Sequence, residues 1–226
     1  MSPLPLLPRC SSMSALDTDR DLAITAIRQI VDVPRETLDR LDAYVAMLLD
    51  ESTRQNLIAA STTETIWTRH ILDSAQLLSF VPTAATSWLD IGAGAGLPGI
   101  PVAILSGLDV TLIEPRKLRT EFLSRAITSL RLESQITIIQ AKIERAPPRP
   151  YSVISARAVA SLDTLLAMGQ PFAASETVWI LPKGRSAQDE LESAACSWQA
   201  RFELVPSITD AEAAIVIARD VRRRRA

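Results

Sequence analysis

The spacing of hydrophobic residues divides the chain into two regions with different local structure. Between residues 21 and 80, apolar side chains recur every three or four positions, which places them on one face of a helix. Pro34 fits the first turn of one such helix, and the residues "STTE" at 61–64 have the pattern of a capping box that opens another. We therefore predict three or more amphipathic helices here, followed by a connector at 81–87.

From Trp88 onward, short runs rich in β-branched residues alternate with helix-like stretches. The predicted strands cover 88–91, 109–113, 135–139, 151–155, 176–181, 201–205 and 213–218. The predicted helices cover 98–106, 116–131, 161–170 and 186–198. This alternation predicts an α/β fold with a doubly wound, mostly parallel, Rossmann-like sheet of seven strands and an N-terminal helical extension. The last two strands are joined by a short link without a helical pattern and can pair as an antiparallel hairpin.

The composition is that of an ordinary α/β protein. At 226 residues and 47% hydrophobic content, the chain suits one large domain with a helical extension. The net charge of −2 argues against a nucleic-acid binder that is basic over its whole surface. Residues 1–86 carry a balance of −4, whereas residues 87–226 carry +2 and end in "RRRRA". We expect a polyanionic partner to contact the second region.

The chain has only two cysteines, Cys10 and Cys196, and one histidine. These numbers argue against a disulfide framework and against a zinc site, so we expect no metal and a reducing, cytoplasmic location. No window reaches the roughly 18 uninterrupted apolar residues of a membrane span, so we expect no membrane partner.

The two ends of the chain differ from the rest. Prolines at positions 3, 5 and 8 interrupt the apolar start, which lacks the basic-then-apolar order of a signal peptide. We expect residues 1–20 to form a disordered leader, and Met13 is an alternative start. The expected organisation is this leader, a helical region at 21–86, an α/β domain at 87–220 and a basic tail at 221–226.

A glycine-rich stretch, "LDIGAGAGLPGIPVAIL" at 89–105, links the first predicted strand to a helix. Gly92, Gly94 and Gly96 allow backbone angles closed to other residues and let a ligand approach the main chain. Glu114 follows Gly96 by 18 residues and ends the second strand, where a carboxylate can accept both hydroxyls of a ribose. A glycine turn alone can be purely structural, but together with Glu114 it favours a nucleoside site.

The spacing of the glycines bears on which nucleoside binds. Dinucleotide folds generally use GxGxxG, which places the N-terminus of the helix against a pyrophosphate. Here the pattern is GxGxG followed by "LPG", with Pro98 suited to the first helical turn. A ligand without phosphates, such as S-adenosyl-L-methionine, fits better than NAD. A parallel sheet finished by one antiparallel strand is also typical of methyltransferases that use this cofactor.

The stretch "DIGAGAGLPGIPVAI" resembles the signature of the bacterial small-subunit (16S) ribosomal RNA guanine-N7 methyltransferases, also called the glucose-inhibited division protein B family. The other matching segments are "NLIAA" at 56–60, "RHILDS" at 69–74, "LIEPRKLRTEFL" at 112–123, "ISARAVASL" at 154–162 and "LPKG" at 181–184. The resemblance covers about residues 35–220, and it is specific because "RHILDS" lies outside the methyltransferase core. Ile58 stands where the family has a threonine, and the leader and the "RRRR" tail lie outside the shared pattern.

The resemblance implies which residues bind the cofactor and what the reaction is. It implies a methyltransferase domain at 87–220 whose S-adenosyl-L-methionine site is formed by these residues: Gly92, Gly94, Gly96, Leu97, Glu114, Ile143, Glu144 and Arg157. In this family Glu114 would contact the ribose, Ile143 and Glu144 the adenine, and Arg157 the region of the methyl group and the substrate. The reaction would be methyl transfer to N7 of a specific guanine in small-subunit ribosomal RNA, with the RNA or a ribosomal particle as partner.

Several chemically suggestive side chains also have a structural interpretation. Arg157 can be a surface ion-pair residue, and His70 can cap or pack a helix rather than act as a base. Asp73 can simply pair with Arg69 or with His70. Lys183 can contact RNA phosphate or can merely end the fifth strand.

The expected chemistry needs no general base, because N7 of guanine already presents a lone pair. Catalysis would come from alignment of the nucleophile, the methyl carbon and the departing sulfur. N7 faces the deep, narrow groove of an RNA helix, so the target should be unpaired or splayed out. Two alternatives remain open: a methyltransferase that acts on a small molecule or a protein, and a non-catalytic sensor of an adenosyl ligand. We expect a monomer.

Overall fold

The computed structural model describes residues 14–224, which form helices packed on both faces of one sheet. Its helices are α1 (Ala15–Ile27), α2 (Arg35–Ser52), α3 (Asp73–Ala75), α4 (Gly99–Ser106), α5 (Lys117–Leu130), α6 (Leu162–Gly169) and α7 (Ala187–Ser197). Its strands are β1 (Ser87–Ile91), β2 (Asp109–Ile113), β3 (Ile136–Ile139), β4 (Tyr151–Ala156), β5 (Ala173–Lys183), β6 (Trp198–Pro206) and β7 (Ala214–Arg223). Short 3-10 turns cover Ala60–Thr62, Gln76–Phe80, Ile143–Arg145 and Gln170–Phe172, and Trp67–Leu72 is π-helical.

The seven strands of the described chain lie in the order β3-β2-β1-β4-β5-β7-β6. The first five run parallel, and β7 pairs antiparallel with both β5 and β6. The α/β prediction and the terminal hairpin are confirmed. The strand order reverses between β1 and β4, and in such sheets ligands bind beside the carboxyl ends of the strands at this point.

The ends of the described chain are more ordered than the sequence predicted. The disordered leader expected at 1–20 is wrong from position 14 onward, because Ser14 caps α1 in a reciprocal capping box with Asp17. Residues 1–13, which include Cys10 and Met13, lie outside the described residues, as do 225 and 226. The basic tail expected at 221–226 is wrong at its start, because β7 continues through Arg223, whose guanidinium lies over the Trp198 ring.

The π-helical turn, α3 and the following 3-10 turn form one continuous stretch, helical segment 67–80. The predicted capping box at 61–64 does not open it, and that prediction is wrong. Instead, the Asp19 carboxylate of α1 accepts hydrogen bonds from the backbone N–H groups of Trp67 at 2.9 Å and Thr68 at 3.3 Å. A residue 48 positions away thus satisfies donors that a local side chain usually satisfies.

The N-terminal helices share a core with the sheet. One continuous cluster of buried side chains includes Leu41 and Tyr44 of α2, Ile71 of helical segment 67–80, Ile100 of α4 and Leu123 of α5. A second cluster covers the opposite face of the sheet beneath α6 and α7. The N-terminal helices therefore pack against one face of the α/β fold and hold it in place. Within residues 14–224, no helix has both the length and the apolar character needed to cross a membrane.

Candidate active site

The glycine turn after β1 is held against β2 by backbone hydrogen bonds. The N–H groups of Gly92 and Ala93 both donate to the Ile113 carbonyl, at 2.8 and 3.0 Å. Gly92, Gly94 and Gly96 all have positive φ angles, of 70°, 58° and 89°. The turn therefore folds back toward the end of β2, where Glu114 lies.

Glu114 joins the glycine turn to the start of α5. One carboxylate oxygen accepts from the Gly94 N–H and the other from the Arg116 N–H, each at 2.9 Å. The residue is only 2% exposed. A carboxylate has about four lone-pair positions, so two acceptor positions remain after these bonds.

A cavity of about 390 Å³ lies in front of this turn. We call it the glycine-turn cavity. Four of the residues predicted to bind a cofactor line it, namely Gly92, Glu114, Ile143 and Glu144. The 3-10 turn Ile143–Arg145 after β3 brings the last two there. Residues from three successive strand ends thus meet around one space, as expected for the carboxyl edge of a parallel sheet.

Gly96 and Leu97 lie beneath the turn and do not line this cavity. A Cβ atom on Gly96 would lie 2.5 Å from Ile100 Cδ1 and 2.9 Å from Leu123 Cδ2. Glycine is therefore required there by close packing against α4 and α5. Leu97 is 4% exposed and belongs to the core beneath the turn. Both residues shape the site from below.

A second cavity, of about 630 Å³, adjoins the first. We call it the Arg157 cavity. Helical segment 67–80, the ends of β4 and β5 and the β6–β7 loop (residues 207–213) surround it. Ala158 and Val159 line both cavities. A Cβ atom on Gly92 would lie 2.7 Å from Val159 Cγ2, so the valine rests directly on the glycine turn at the junction.

Arg157 is held in the second cavity by two residues of helical segment 67–80. Its guanidinium nitrogens lie 3.3 Å from His70 Nδ1, and one of them donates to Asp73 at 3.2 Å. The Arg157 side chain is 23% exposed. The structure therefore places it in the cavity that adjoins the glycine turn, as an anchored group rather than a surface ion-pair residue.

His70 is a neutral acceptor toward Arg157. A guanidinium can only donate, so Nδ1 must carry a lone pair and the ring proton must lie on Nε2. Nε2 lies 2.8 Å from the Thr62 hydroxyl, which in turn donates to the Ala59 carbonyl at 2.8 Å. Burial, together with the charges of Arg157 and Arg69, lowers the pKa of His70 to about 3. With its lone pair occupied by a cation, this histidine is not placed to take a proton from a substrate.

Asp73 connects Arg157 to the β6–β7 loop. Its other oxygen accepts from the Thr209 hydroxyl at 2.7 Å and the Gln76 amide at 2.9 Å. The expectation that Asp73 pairs with Arg69 or His70 is wrong, because Arg69 turns to Asp210 at 2.8 Å. Thr209 and Gln76 had no signal in the sequence, since they lie more than 130 positions apart.

Lys183 supports the wall of the Arg157 cavity. Its ammonium group donates to the Ala160 carbonyl at 2.7 Å and to Glu190 at 2.8 Å, and its side chain is 7% exposed. Burial opposes ionisation of Glu190, but hydrogen bonds from Lys183, Ser186 and the Leu162 N–H outweigh it and lower its pKa. Of the two interpretations of Lys183, the structure favours the structural one at the end of β5.

Asp90 is a buried carboxylate that sequence analysis did not single out. It accepts from the Gly99 N–H and from the Ser155 hydroxyl, both at 3.0 Å, and is fully buried. Burial raises its pKa to about 7, although these hydrogen bonds act in the opposite direction. It fastens the start of α4 to β1 and β4 beneath the glycine turn.

Comparison with known proteins identifies the family. The family model of rRNA small subunit methyltransferase G (GidB) matches residues 37–216. The chain belongs to this family. The ribosomal RNA small subunit methyltransferase G of Rhizorhabdus wittichii is 50% identical, over 85% of this chain and 89% of that protein. The protein of the same name from Zymomonas mobilis is 42% identical, over 88% of this chain and 93% of its own length.

Solved structures share the fold at low sequence identity. A proposed S-adenosyl-L-methionine-dependent methyltransferase of Methanococcus maripaludis gives a TM-score of 0.55 at 15% identity, over 79% of this chain and 93% of that chain. The glycopeptide N-methyltransferase MtfA, complexed with S-adenosyl-L-methionine, gives 0.55 at 11% identity, over 64% of this chain and 86% of that chain. These likenesses establish the Rossmann-like methyltransferase fold.

Two segments of the family resemblance meet in the Arg157 cavity. The segment "RHILDS" contributes His70 and Asp73, and "ISARAVASL" contributes Arg157 and Val159. The first lies in the N-terminal helices and the second follows β4. Their contact joins a segment of the N-terminal helices to the end of β4. Among residues 14–224, no group of three or more His, Cys, Asp or Glu side chains is arranged to hold a metal ion.

Proposed function

We propose that this protein transfers the methyl group of S-adenosyl-L-methionine to N7 of a specific guanine in small-subunit (16S) ribosomal RNA. The observation that carries the proposal is the pair of cavities that meet at Ala158 and Val159. One has the features of a nucleoside site, and the other is lined by segments of the family resemblance. Group transfer requires donor and acceptor to approach each other at one such junction.

The glycine-turn cavity suits the cofactor. The free acceptor positions on Glu114 match the two ribose hydroxyls, and Ile143 and Glu144 would border the adenine. Gly92 would face the ligand, Gly94 would hold the Glu114 carboxylate through its N–H, and Gly96 and Leu97 would support the turn from below. When bound, the cofactor supplies an electrophilic methyl group on a sulfonium.

The Arg157 cavity suits an uncharged base. Its three cations are each paired with a carboxylate: Arg69 with Asp210, Arg157 with Asp73 and Lys183 with Glu190. A lining of balanced charge favours a purine ring over a phosphate group. Reaction at the lone pair of N7 needs no general base. This agrees with the position of His70, whose own lone pair faces Arg157. Arg157 would position the reacting groups at the junction of the cavities.

The acceptor would be a guanine outside a regular helix, because side chains cannot reach N7 in the narrow groove of paired RNA. The partner would be small-subunit ribosomal RNA or a ribosomal particle. With a net charge of −2, recognition would depend on the shape of folded RNA as well as on charge. We propose that the protein acts as a monomer in the cytoplasm, without a metal or a membrane partner.

The decisive experiment maps N7-methylguanine in 16S ribosomal RNA from cells with and without this protein. Loss of one methylated position in the deletion strain, and its return when purified protein and S-adenosyl-L-methionine act on the undermethylated small subunits, would support the proposal. An unchanged methylation map, with transfer to a free small acceptor or to protein, would instead favour the alternative methyltransferase. Calorimetric binding of S-adenosyl-L-methionine without transfer to any acceptor would favour a sensor, and binding of NAD alone would overturn the cofactor assignment.

A further inference from the structure

Three carboxylates line the Arg157 cavity, and they differ in how much acceptor capacity is left. Glu190 accepts three hydrogen bonds, from Lys183, Ser186 and the Leu162 N–H. Asp73 also accepts three, from Arg157, Thr209 and Gln76. Because a carboxylate has about four lone-pair positions, each of these two groups has about one position left.

Asp210 differs from the other two. One oxygen pairs with Arg69 at 2.8 Å and the other accepts from the Glu212 N–H at 3.0 Å. Two acceptor positions, one on each oxygen, therefore remain. Its side chain is 32% exposed, against 18% for Asp73 and 23% for Glu190. Asp210 is thus the lining carboxylate best able to accept two further hydrogen bonds.

The topology sets the distance between Asp210 and the junction of the cavities. The junction lies just after β4, and Asp210 lies in the β6–β7 loop, two to three strands away in the order β4-β5-β7-β6. At the usual strand spacing this separation is about 10–14 Å. A guanine with N7 at the junction, one hydrogen bond and the length of the Asp210 side chain together span this separation.

We infer that Asp210 accepts hydrogen bonds from N1–H and the 2-amino group of the target guanine and so selects guanine over adenine. This inference rests on the proposed function. Guanine presents these two donors side by side, on the edge of the ring away from N7. Adenine presents a lone pair at N1, which a carboxylate repels, and no amino group at C2.

Arg69 keeps the Asp210 carboxylate charged and oriented. The hydrogen bond from Arg69 and that from the Glu212 N–H lower the pKa of Asp210, so it is an acceptor across the physiological range. Arg69 also donates to the Thr209 carbonyl at 3.2 Å, which holds the loop near helical segment 67–80. Helical segment 67–80, which lies outside the sheet, therefore fixes the position of the Asp210 carboxylate.

The test uses two fragments of 16S ribosomal RNA around the mapped guanosine, one with guanosine and one with inosine at that position, each assembled with small-subunit proteins. Inosine keeps N7, O6 and N1–H and lacks only the 2-amino group. The wild-type protein should methylate the guanosine fragment with a kcat/KM about ten- to a hundredfold higher, the usual worth of one hydrogen bond to a charged group. Asp210→Asn should bring this ratio close to one, because it removes the charge and offers a donor where an acceptor is needed.

The matched control is Glu212→Gln, which removes a carboxylate from the same loop. Glu212 is 67% exposed and pairs only weakly with Arg185, at 3.6 Å. This variant should keep the wild-type ratio, and both variants should bind S-adenosyl-L-methionine as the wild type does in calorimetry.

An Asp210→Asn protein that keeps the wild-type ratio overturns the inference. If that variant has no turnover, filter binding of the two fragments decides the same question. A ratio of affinities for the guanosine and inosine fragments that equals the wild-type ratio also contradicts the inference. Failure of the proposed function looks different, since the wild-type protein would then methylate neither fragment at N7.

Discussion

The guanidinium of Arg157, at the end of the fourth strand, lies 3.3 Å from Nδ1 of His70 in the N-terminal helices. The two residues are 87 positions apart in the sequence. The contact makes a neutral histidine the support of a cation that lies next to the junction of the two cavities. It connects the N-terminal helices to the Arg157 cavity.

Replacement of Arg157 should impair methyl transfer. Arg157→Ala should lower kcat/KM by about tenfold or more, since a misplaced donor and acceptor lose the advantage of orientation. Steady-state assays on undermethylated small subunits measure this effect. Arg201→Ala is the control, because Arg201 lies on the exposed surface of β6 with its side chain 75% accessible. Full transfer and unchanged cofactor affinity in Arg157→Ala would show that our assignment of this residue is wrong.

His70 should act through Arg157 and not as a base. His70→Leu keeps much of the packing but removes the acceptor, so kcat should fall by about tenfold, the lower end of what one hydrogen bond to a charged group contributes. His70→Asn restores an acceptor and should recover part of the rate. Because the pKa of His70 is about 3, the wild-type rate should show no titration of this residue between pH 6 and 8. A kinetic pKa near 6.5 that disappears in His70→Asn would contradict this role.

Glu114 should control cofactor affinity. Glu114→Gln removes the charge and lone-pair positions that the ribose hydroxyls would use, so calorimetry should give a Kd about ten- to a hundredfold higher. The control is Glu121→Gln, at a half-exposed position on α5 that lies outside the glycine-turn cavity. Equal affinity in wild type and Glu114→Gln would remove Glu114 from the cofactor site.

Tyr44 should stabilise the glycine turn from the N-terminal side. Its hydroxyl donates to the Ala95 carbonyl at 2.9 Å, and the side chain is fully buried. Tyr44→Phe leaves that carbonyl without its partner, so the free energy of unfolding should fall by about 1–3 kcal/mol. Urea denaturation measures the loss, and cofactor affinity should weaken with it. If both values stay unchanged, the contact does not support the turn.

Asp90 should make stability depend on pH. Its folded pKa of about 7 lies above the unfolded value of 3.8, so the folded state binds the extra proton between these limits. The free energy of unfolding should therefore decrease as pH rises from 4 through 7, by up to about 4 kcal/mol. Asp90→Asn cannot ionise and should lack this decrease. Urea denaturation at pH 5 and pH 8 gives the free energy of unfolding of both proteins. If this free energy changes equally with pH in the wild type and in Asp90→Asn, the prediction is wrong.

Much of the fold followed from local patterns. Alternating β-branched runs and helical stretches predicted the α/β sheet, and the short link before β7 predicted the hairpin, because these signals depend on neighbours in sequence. The predictions were wrong where a residue distant in sequence makes the contact that was expected from a local residue, or orders a segment that was expected to be a basic tail. Asp19 caps helical segment 67–80 in place of the predicted capping box, and Trp198 holds Arg223 in an ordered strand.

The sequence by itself determined the family, the glycine turn and the carboxylate at the next strand end. These features are local, and a parallel sheet brings the ends of successive strands to one edge. Only the tertiary structure decided that His70 and Asp73 hold Arg157, that Arg69 holds Asp210, and that the two cavities meet at Val159. These relations join side chains far apart in the chain, and their geometry depends on how the helices pack on the sheet.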